Sequence, residues 1–183
     1  FLFNSMNSIA SLIATDPDLA ERLVEDLADL FRAALAQTSM VSAERELALT
    51  RAYLRIEQLR LGERLQLNWD VQTPPADLEL PNLLLQPLVE NAIYHGAENN
   101  RSGGEVRVRF VCDDAGAHLM VRNSIAPESA ASLRPGHKMG LDNVRHRLQA
   151  FYGTSAHLTV EELAGEFSVS IHIAAAQRRS ALG

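Results

Sequence analysis

The sequence predicts an α+β protein in which helices precede a two-layer sandwich of helices on a mixed β-sheet. Three observations carry this prediction. Apolar residues recur every three or four positions up to residue 61, as in amphipathic helices. From residue 65 onwards, short segments typical of strands are interspersed with two further helical patterns. Hairpin-length links join most neighbouring strands, which favours a mainly antiparallel sheet.

The first two helical patterns predict an antiparallel hairpin. An apolar stripe on a helix over residues 1–14 consists of Leu2, Met6, Ile9 and Ile13. Asp16 and Pro17 then suit the cap and the first position of a second helix that ends near residue 37. Because a hairpin this small cannot bury two stripes alone, we expect it to pair with a second copy as a four-helix bundle and form a homodimer.

The third helix is predicted to begin after Ser42 and to end at Gly62. Glu44 and Glu46 in its first turns are expected to complement the helix dipole. Two opposite faces are apolar, with Leu49, Ala52, Tyr53, Ile56 and Leu59 on one and Leu47, Leu54 and Leu61 on the other. Such a helix is enclosed from both sides. We therefore expect it to lie between the hairpin and the following domain.

The remaining patterns define the sandwich. Strands are predicted over about 65–71, 106–110, 118–121, 157–161 and 167–174. Helices are predicted over 81–96, with a kink or a fresh start at Pro87, and over 140–152. The segments 97–104 and 124–139 are predicted as loops. We divide the chain into a hairpin (1–40), a connecting helix (41–63), a sandwich domain (64–176) and a flexible tail (177–183).

Composition restricts the class of protein. With 183 residues, 46% of them hydrophobic, the chain can form one core and a smaller helical unit. A net charge of −6 argues against nucleic acid as a direct partner. The single cysteine, Cys112, excludes an internal disulfide, and no His/Cys cluster has metal-ligand spacing. No apolar run reaches the ~20 residues that cross a bilayer. The chain begins in mid-pattern without methionine, so we expect a fragment.

A polar rim follows the apolar first half of the helix predicted over residues 83–96. The rim consists of Glu90, Asn91, Tyr94 and His95. Asn91 and His95 are four residues apart and share a helix face. Gly96 is predicted to end the helix in the left-handed conformation. A polar rim on a buried helix needs partners. A ligand or metal is one candidate, and simple solvation of the helix end is the other.

A second candidate motif runs from Gly140 to Leu148, Gly-Leu-Asp-Asn-Val-Arg-His-Arg-Leu, at a predicted helix start. Unpaired N–H groups at a helix start bind anions. Arg145 either adds positive charge there or lies on a solvated face. For Arg147 the solvated face is favoured.

These motifs resemble those of LytS-type sensor histidine kinases, members of the GHKL (Bergerat-fold) ATPase superfamily, with the AlgZ/FimS-like branch as the candidate subgroup. Residues 83–96 resemble the N-box, and residues 140–148 match the family pattern Gly-Leu-x-Asn-x-Arg-x-Arg-Leu in full. The opening run, residues 1–9, is similar to the run that follows the phosphoacceptor histidine. Residues 53–60 resemble the connecting helix of the family.

The resemblance implies a function. The chain would be the cytoplasmic catalytic part of a kinase that is anchored in the bacterial inner membrane through a missing N-terminal region. It would bind ATP and Mg²⁺, phosphorylate a histidine, and pass the phosphoryl group to a response regulator, commonly of the LytTR class. The acceptor histidine is expected just before Phe1, and the hairpin would be part of the dimerisation and phosphotransfer unit. This fragment alone is therefore expected not to autophosphorylate.

The resemblance also implies roles for site residues. Asn91 would bind magnesium, and Glu90 beside it would be the second catalytic residue, although a solvated carboxylate is an equal alternative. Tyr94 and His95 would flank the phosphates or the ribose. The remaining nucleotide-site residues implied by the family are Gly140, Leu141, Asn143 and Arg145.

Two positions depart from the family pattern. Asn123 stands where an aspartate would accept a hydrogen bond from the adenine amino group, and a neutral acceptor weakens that bond by ~1 kcal/mol. Lys138 replaces a glycine and would either contact a phosphate or occupy nucleotide space. These departures leave a second hypothesis open. It is a degenerate dimeric scaffold that binds a response regulator without using ATP.

Overall fold

The computed structural model describes residues 2–100, 102–125, 135–163 and 165–175, with residues 2 and 135–139 described by their backbone alone. The helices are α1 (Leu2–Leu12), α2 (Pro17–Leu35), α3 (Ala43–Leu61), α4 (Gln86–Ile93) and α5 (Pro135–Tyr152). The strands are β1 (Met40–Ser42), β2 (Leu65–Val71), β3 (Glu79–Pro81), β4 (Gly104–Cys112), β5 (Gly116–Ser124), β6 (Ala156–Leu163) and β7 (Glu166–Ala174). No helix of these described ranges is both long and apolar enough to span a membrane.

The first three helices form where their end signals predict them. The Asp16 carboxylate accepts a hydrogen bond from the Leu19 N–H (3.0 Å), and Ser42 Oγ accepts one from the Arg45 N–H (3.1 Å). Gly62 ends α3 with a φ of +58°. Helix α3 packs against α1 and α2 on one side and against β2 and α4 on the other. The predicted enclosure of α3 is therefore confirmed.

The apolar stripe of α2 is covered differently from the prediction. Its members Leu23, Leu27 and Leu30 are buried within the single chain, because α3 packs against α2. The hairpin indeed does not cover this stripe alone, but the element that covers it is α3 of the same chain, which the prediction left out of the packing. Other apolar side chains stay exposed on α1 and α2, among them Met6 and Ile13 of the predicted α1 stripe, together with Phe3, Val24, Phe31 and Leu35.

The main sheet is mixed and has five strands in the order β2-β4-β5-β7-β6. Strand β2 runs parallel to β4, and the other pairs are antiparallel. Phe110, Leu119 and Ile171 stand in register on β4, β5 and β7, and all three are buried. This face of the sheet forms the core under α4 and α5. The predicted α+β fold class, with a mixed sheet, is confirmed.

A small second sheet pairs β1 with β3, which the sequence analysis did not predict. It joins the start of α3 to the segment before α4. Pro81 is the last residue of β3, so the helix predicted to begin there was wrong. Helix α4 begins at Gln86 with Pro87 in its first turn, which confirms the fresh-start alternative.

Two further helix ends differ from the prediction. After α4 the chain continues into a π-helical turn over Tyr94–Glu98, and Gly96 lies inside it without a left-handed φ. A glycine is needed there because a Cβ would lie 3.0 Å from Asn123 Cβ. Helix α5 begins at Pro135, inside the segment predicted as a loop. Gly140 is therefore the sixth residue of α5 and does not offer the free N–H groups of a helix start. Residues 126–134 and 176–183 of the predicted loop and tail lie outside the described residues.

Candidate functional site

A cavity of about 430 Å³ opens where α3, α4, the π-helical turn and α5 meet. It gathers five of the residues that the sequence analysis singled out, Glu90, Asn91, Tyr94, Gly140 and Leu141. These residues come from segments about 50 positions apart in the chain, and the packing of α4 against α5 brings them together. The cavity is the candidate site.

Asn91 is the most informative residue of the cavity wall. Its side chain is half-buried, and its Oδ1 atom is shielded from solvent without a hydrogen-bond partner among the described residues. A buried acceptor without a donor costs about 1–3 kcal/mol. Simple solvation of the helix end, one of the two alternatives for the polar rim, therefore does not describe the Asn91 oxygen. An oxygen in this state suits a ligand that supplies a cation or a hydrogen-bond donor.

Glu90 lies at the exposed rim of the cavity, one residue before Asn91. Gln86 Nε2 donates a hydrogen bond to Glu90 Oε1 (2.8 Å) across one turn of α4. The carboxylate is therefore oriented and still reaches solvent. It can hold a water molecule or a hydrated cation at the mouth of the cavity.

Tyr94 and His95 are the first two residues of the π-helical turn. Their rings meet edge to face with centroids 5.1 Å apart, but only Tyr94 lines the cavity. The Tyr94 carbonyl accepts hydrogen bonds from the backbone N–H (3.1 Å) and the Nδ2 (2.9 Å) of Asn99. The turn therefore holds the tyrosine ring in place at the cavity.

The other predicted site residues with described side chains do not line the cavity. Asn123 is buried beside Gly96, where its Nδ2 donates to the Ser124 carbonyl (2.8 Å). Asn143 is exposed, and Arg145 is exposed and paired with Asp142 (2.9 Å), as expected for a solvated helix face. The side chain of Lys138 lies outside the described residues.

A charged group that was not predicted from the sequence lies on the opposite wall of the cavity. Tyr53, Glu57 and Arg60 of α3 line the cavity, and so does Glu98 of the π-helical turn. Burial raises the pKa of the Glu57 carboxyl, and its hydrogen bond with Arg60 opposes that rise. A run of charged residues on a helix, such as residues 51–64, is usually a solvated face, and this general expectation does not hold for Glu57 and Arg60. The available signal was their spacing, since Glu57 and Arg60 follow Tyr53 by four and seven residues, which places all three on one helix face.

The formal charge of the cavity wall is negative. Among the described side chains that line it, three carboxylates, those of Glu57, Glu90 and Glu98, accompany one guanidinium, that of Arg60. A polyanion would be repelled by this wall unless a divalent cation accompanied it. The residues therefore fit a ligand in which metal and anion arrive together.

A second buried charge fixes the segment before α4. Glu46 is almost fully buried and accepts hydrogen bonds from the backbone N–H groups of Leu83 (2.8 Å) and Leu85 (2.8 Å). Burial raises the Glu46 pKa to about 7, against the lowering effect of these bonds and of the charge on Arg147. Leu83 itself has a φ of +55°. Glu46 thus stabilises the start of α4 rather than complementing the dipole of α3.

Arg147 supports the same segment from α5. Its guanidinium donates to the carbonyls of Asn82 and Leu83. Arg147 does not line the cavity, and its guanidinium is not simply solvated. Neither a phosphate contact nor a solvated helix face therefore describes its role. Together Glu46 and Arg147 hold the strained segment from which α4 presents Asn91.

The comparisons with known proteins agree with this fold. The family model described as "Histidine kinase" matches residues 1–65. The sensor histidine kinase YpdA of Escherichia coli K12 is 34% identical over 169 residues, covering 86% of this chain and 29% of that protein. The sensor histidine kinase/phosphatase LytS of Staphylococcus aureus is 32% identical over 180 residues, covering 88% and 30%. The chain thus spans just under a third of the length of these relatives.

Solved structures share the fold. The catalytic domain of histidine kinase ThkA superposes with a TM-score of 0.56 at 14% identity, covering 79% of this chain and 100% of that one. The histidine kinase domain of the blue-light activated kinase from Erythrobacter litoralis EL346 gives 0.56 at 18% identity, with 94% and 87% covered. At these identities the likeness concerns the fold alone, while the YpdA and LytS alignments extend over most of the chain. The chain therefore belongs to the LytS-type sensor histidine kinases.

Proposed function

We propose that this chain is the ATP-binding, catalytic segment of a two-component sensor histidine kinase and that the 430 Å³ cavity is its Mg–ATP site. The observation that carries the proposal is the buried, unpartnered Oδ1 of Asn91 in the wall of that cavity. Magnesium takes oxygen ligands and retains several waters. One amide oxygen beside the solvent-reaching carboxylate of Glu90 fits such an ion.

The residues that line the cavity have different proposed roles. Asn91 would hold the metal through Oδ1, and Glu90 would orient water or the metal hydration shell. When bound, magnesium neutralises phosphate charge and fixes the geometry of the transferred group. Gly140 supplies a part of the wall that has no side chain. A Cβ added there would contact only Pro87, at 3.9 Å. Leu141 and Tyr94 would give apolar and aromatic surface to the nucleotide.

Four other residues have proposed roles near this cavity. Asn123 would accept a hydrogen bond from the adenine amino group, which its position beside the π-helical turn supports. His95 packs on Tyr94 and would act through that ring. Asn143 and Lys138 would belong to the part of α5 that faces the nucleotide, whereas the ion pair of Arg145 with Asp142 disfavours a phosphate contact for Arg145.

The reaction proposed for the whole protein needs further partners. The likeness of residues 1–9 to the run after the family's phosphoacceptor supports a histidine outside this segment, since α1 itself contains none. The phosphoryl group would pass from it to a cytoplasmic response regulator of the LytTR class. A homodimer through α1 and α2 would present that histidine, and the exposed apolar side chains of both helices support it.

Calorimetric titration of ATP with and without magnesium tests the proposal. Asn91→Ala should weaken magnesium-dependent binding about tenfold or more, because the metal loses its protein ligand. Asn68→Ala is the matched control, since Asn68 is exposed on β2 and does not line the cavity. In a longer form that includes the acceptor histidine, Asn91→Ala should abolish labelling by ATP.

Two results would contradict the proposal. The first is the absence of heat at millimolar nucleotide, where even a ~4 kcal/mol interaction registers. The second is magnesium-dependent binding that survives Asn91→Ala. A protein that binds its response regulator but takes no nucleotide would instead be the degenerate scaffold. The departures at Asn123 and Lys138 are the features that favour that second candidate.

A further inference from the structure

The charged face of α3 forms a wall of the cavity proposed to bind nucleotide. Tyr53, Glu57 and Arg60 line it, and all three belong to residues 53–60, a segment with no part in the proposed chemistry. Helix α3 also packs against α1 and α2. The wall therefore connects the helical hairpin directly with the nucleotide site.

Arg60 joins this wall to the π-helical turn. Its Nε donates to Glu57 Oε2 on α3 (3.0 Å), and its Nη1 donates to Glu98 Oε1 on the turn (2.8 Å). The Arg60 side chain is only 17% exposed and that of Glu57 2%, so solvent screens this pair less than a surface ion pair. The Glu98 side chain is 39% exposed, so its pair with Arg60 is screened more. Arg60 Nη2 also donates to Glu57 Oε2, so each nitrogen of the guanidinium has a carboxylate partner.

A second arginine strengthens the same connection. Arg64, just after α3, donates from Nη2 to the carbonyls of Ala97 (3.1 Å), Glu98 (3.0 Å) and Asn100 (3.1 Å). These bonds satisfy carbonyls at the end of the turn. The turn is therefore attached to the end of α3 through its backbone as well as through the Glu98 side chain.

We propose that Arg60, held between Glu57 and Glu98, is a positioning residue that makes the affinity of the cavity for magnesium–nucleotide depend on the placement of α3. The inference rests on the proposed function. The turn that carries Glu98 also carries Tyr94, whose backbone N–H donates to the carbonyls of Asn91 and Glu90. A shift of Glu98 relative to α3 is transmitted through this short turn to the metal-binding end of α4.

Another ion pair of α3 lies away from the cavity and from the π-helical turn. Arg55, on α3, pairs with Asp26 of α2 through two donors, one of them Nε to Oδ2 at 2.7 Å. Arg55 does not line the cavity. It therefore gives a matched control, since it is an arginine of the same helix whose ion pair lies on the other side.

Glu98→Gln separates positioning from simple electrostatics. The substitution removes a negative charge from the wall, so electrostatics alone would tighten the binding of a polyanion. If Glu98 positions the turn, the substitution weakens the binding instead. We expect a rise of about three- to tenfold in the Kd for ATP with magnesium, the range of pairwise couplings in such networks. Arg55→Gln should leave this Kd unchanged.

Hydrogen exchange provides a measurement without nucleotide. In Glu98→Gln, amides of the turn, residues 94–98, should exchange faster, while Arg55→Gln leaves them as in the natural protein. Tightened or unchanged binding, or unchanged exchange in the turn, would overturn the inference alone. If the natural chain binds no magnesium–nucleotide, the proposed function fails and the inference fails with it. The two failures are therefore distinguishable.

Discussion

Replacing Glu46 by glutamine should remove a pH-dependent loss of stability. The carboxyl group is 1% exposed, and burial raises its pKa from 4.5 to about 7. Between these two values the folded protein keeps a proton that the unfolded chain releases. Stability is therefore fully present below pH 4.5 and is lost as the pH rises through 7. At 1.36 kcal/mol for each pKa unit, Glu46 accounts for a loss of about 3 kcal/mol in the free energy of unfolding.

Urea unfolding followed by circular dichroism at pH 5, 6, 7 and 8 measures this effect. Glutamine stays neutral, but its amide NH₂ would face the N–H of Leu83 or Leu85. Glu46→Gln should therefore be less stable than the natural protein at pH 5, by about 1–3 kcal/mol. The difference should narrow towards pH 8, where the buried carboxylate is ionised.

At each pH the free energy of unfolding of the natural protein is compared with that of Glu46→Gln, because other groups also titrate. Burial raises the pKa of Glu57 too, which adds a slope of the same sign to both proteins. Glu44→Gln is the matched control, since Glu44 is exposed in the same turn of α3, and its profile should follow the natural one. Parallel pH profiles for the natural protein and Glu46→Gln would refute the reasoning, because Glu46 would then take up no proton on folding.

The proposed dimer gives another expected outcome. Val24 and Phe31 are exposed on one face of α2, seven residues apart, and Val24→Glu/Phe31→Glu should dissociate the dimer in sedimentation equilibrium at tens of micromolar. Leu163→Glu, an equally apolar exposed position at the end of β6, should not. A natural protein that is monomeric at these concentrations would contradict the dimer.

Local signals predicted most of the fold. Helices α2 and α3 carry caps within their own sequence, α1 to α3 carry apolar stripes, and β2 alternates strictly, so their bounds follow closely. Strands β1 and β3 have three residues each, too few for a period, and form only because the start of α3 meets the segment before α4. The helix start at Pro135 was missed because two prolines and a glycine suggested a loop.

The candidate site also contains residues that local sequence patterns predict and residues that they do not. Asn91, Glu90 and Tyr94 were predictable because they lie in one short motif. The contact between Arg60 and Glu98 joins residues 38 positions apart, so no local pattern reveals it. Charged residues in a helix are usually solvated, and only the tertiary packing shows which of them are enclosed.

Asn123 shows how a departure from the family pattern follows from the structure. It is 2% exposed, and its Nδ2 donates to the Ser124 carbonyl at 2.8 Å. An aspartate there would turn a buried carboxylate oxygen towards a carbonyl oxygen, with no donor between them. Asn123→Asp should therefore lower the free energy of unfolding of the empty protein by about 1–3 kcal/mol. If the position faces adenine, the charged acceptor should nevertheless tighten magnesium–ATP binding about fivefold.

Urea unfolding without nucleotide and calorimetric titration with it measure these two effects separately. Asn143→Asp, an exposed substitution on α5, should not destabilise the empty protein. Destabilisation without tighter binding would show that Asn123 packs against Gly96 but does not contact the nucleotide. Destabilisation with tighter binding would show that asparagine at this position stabilises the empty site at the expense of affinity for ATP.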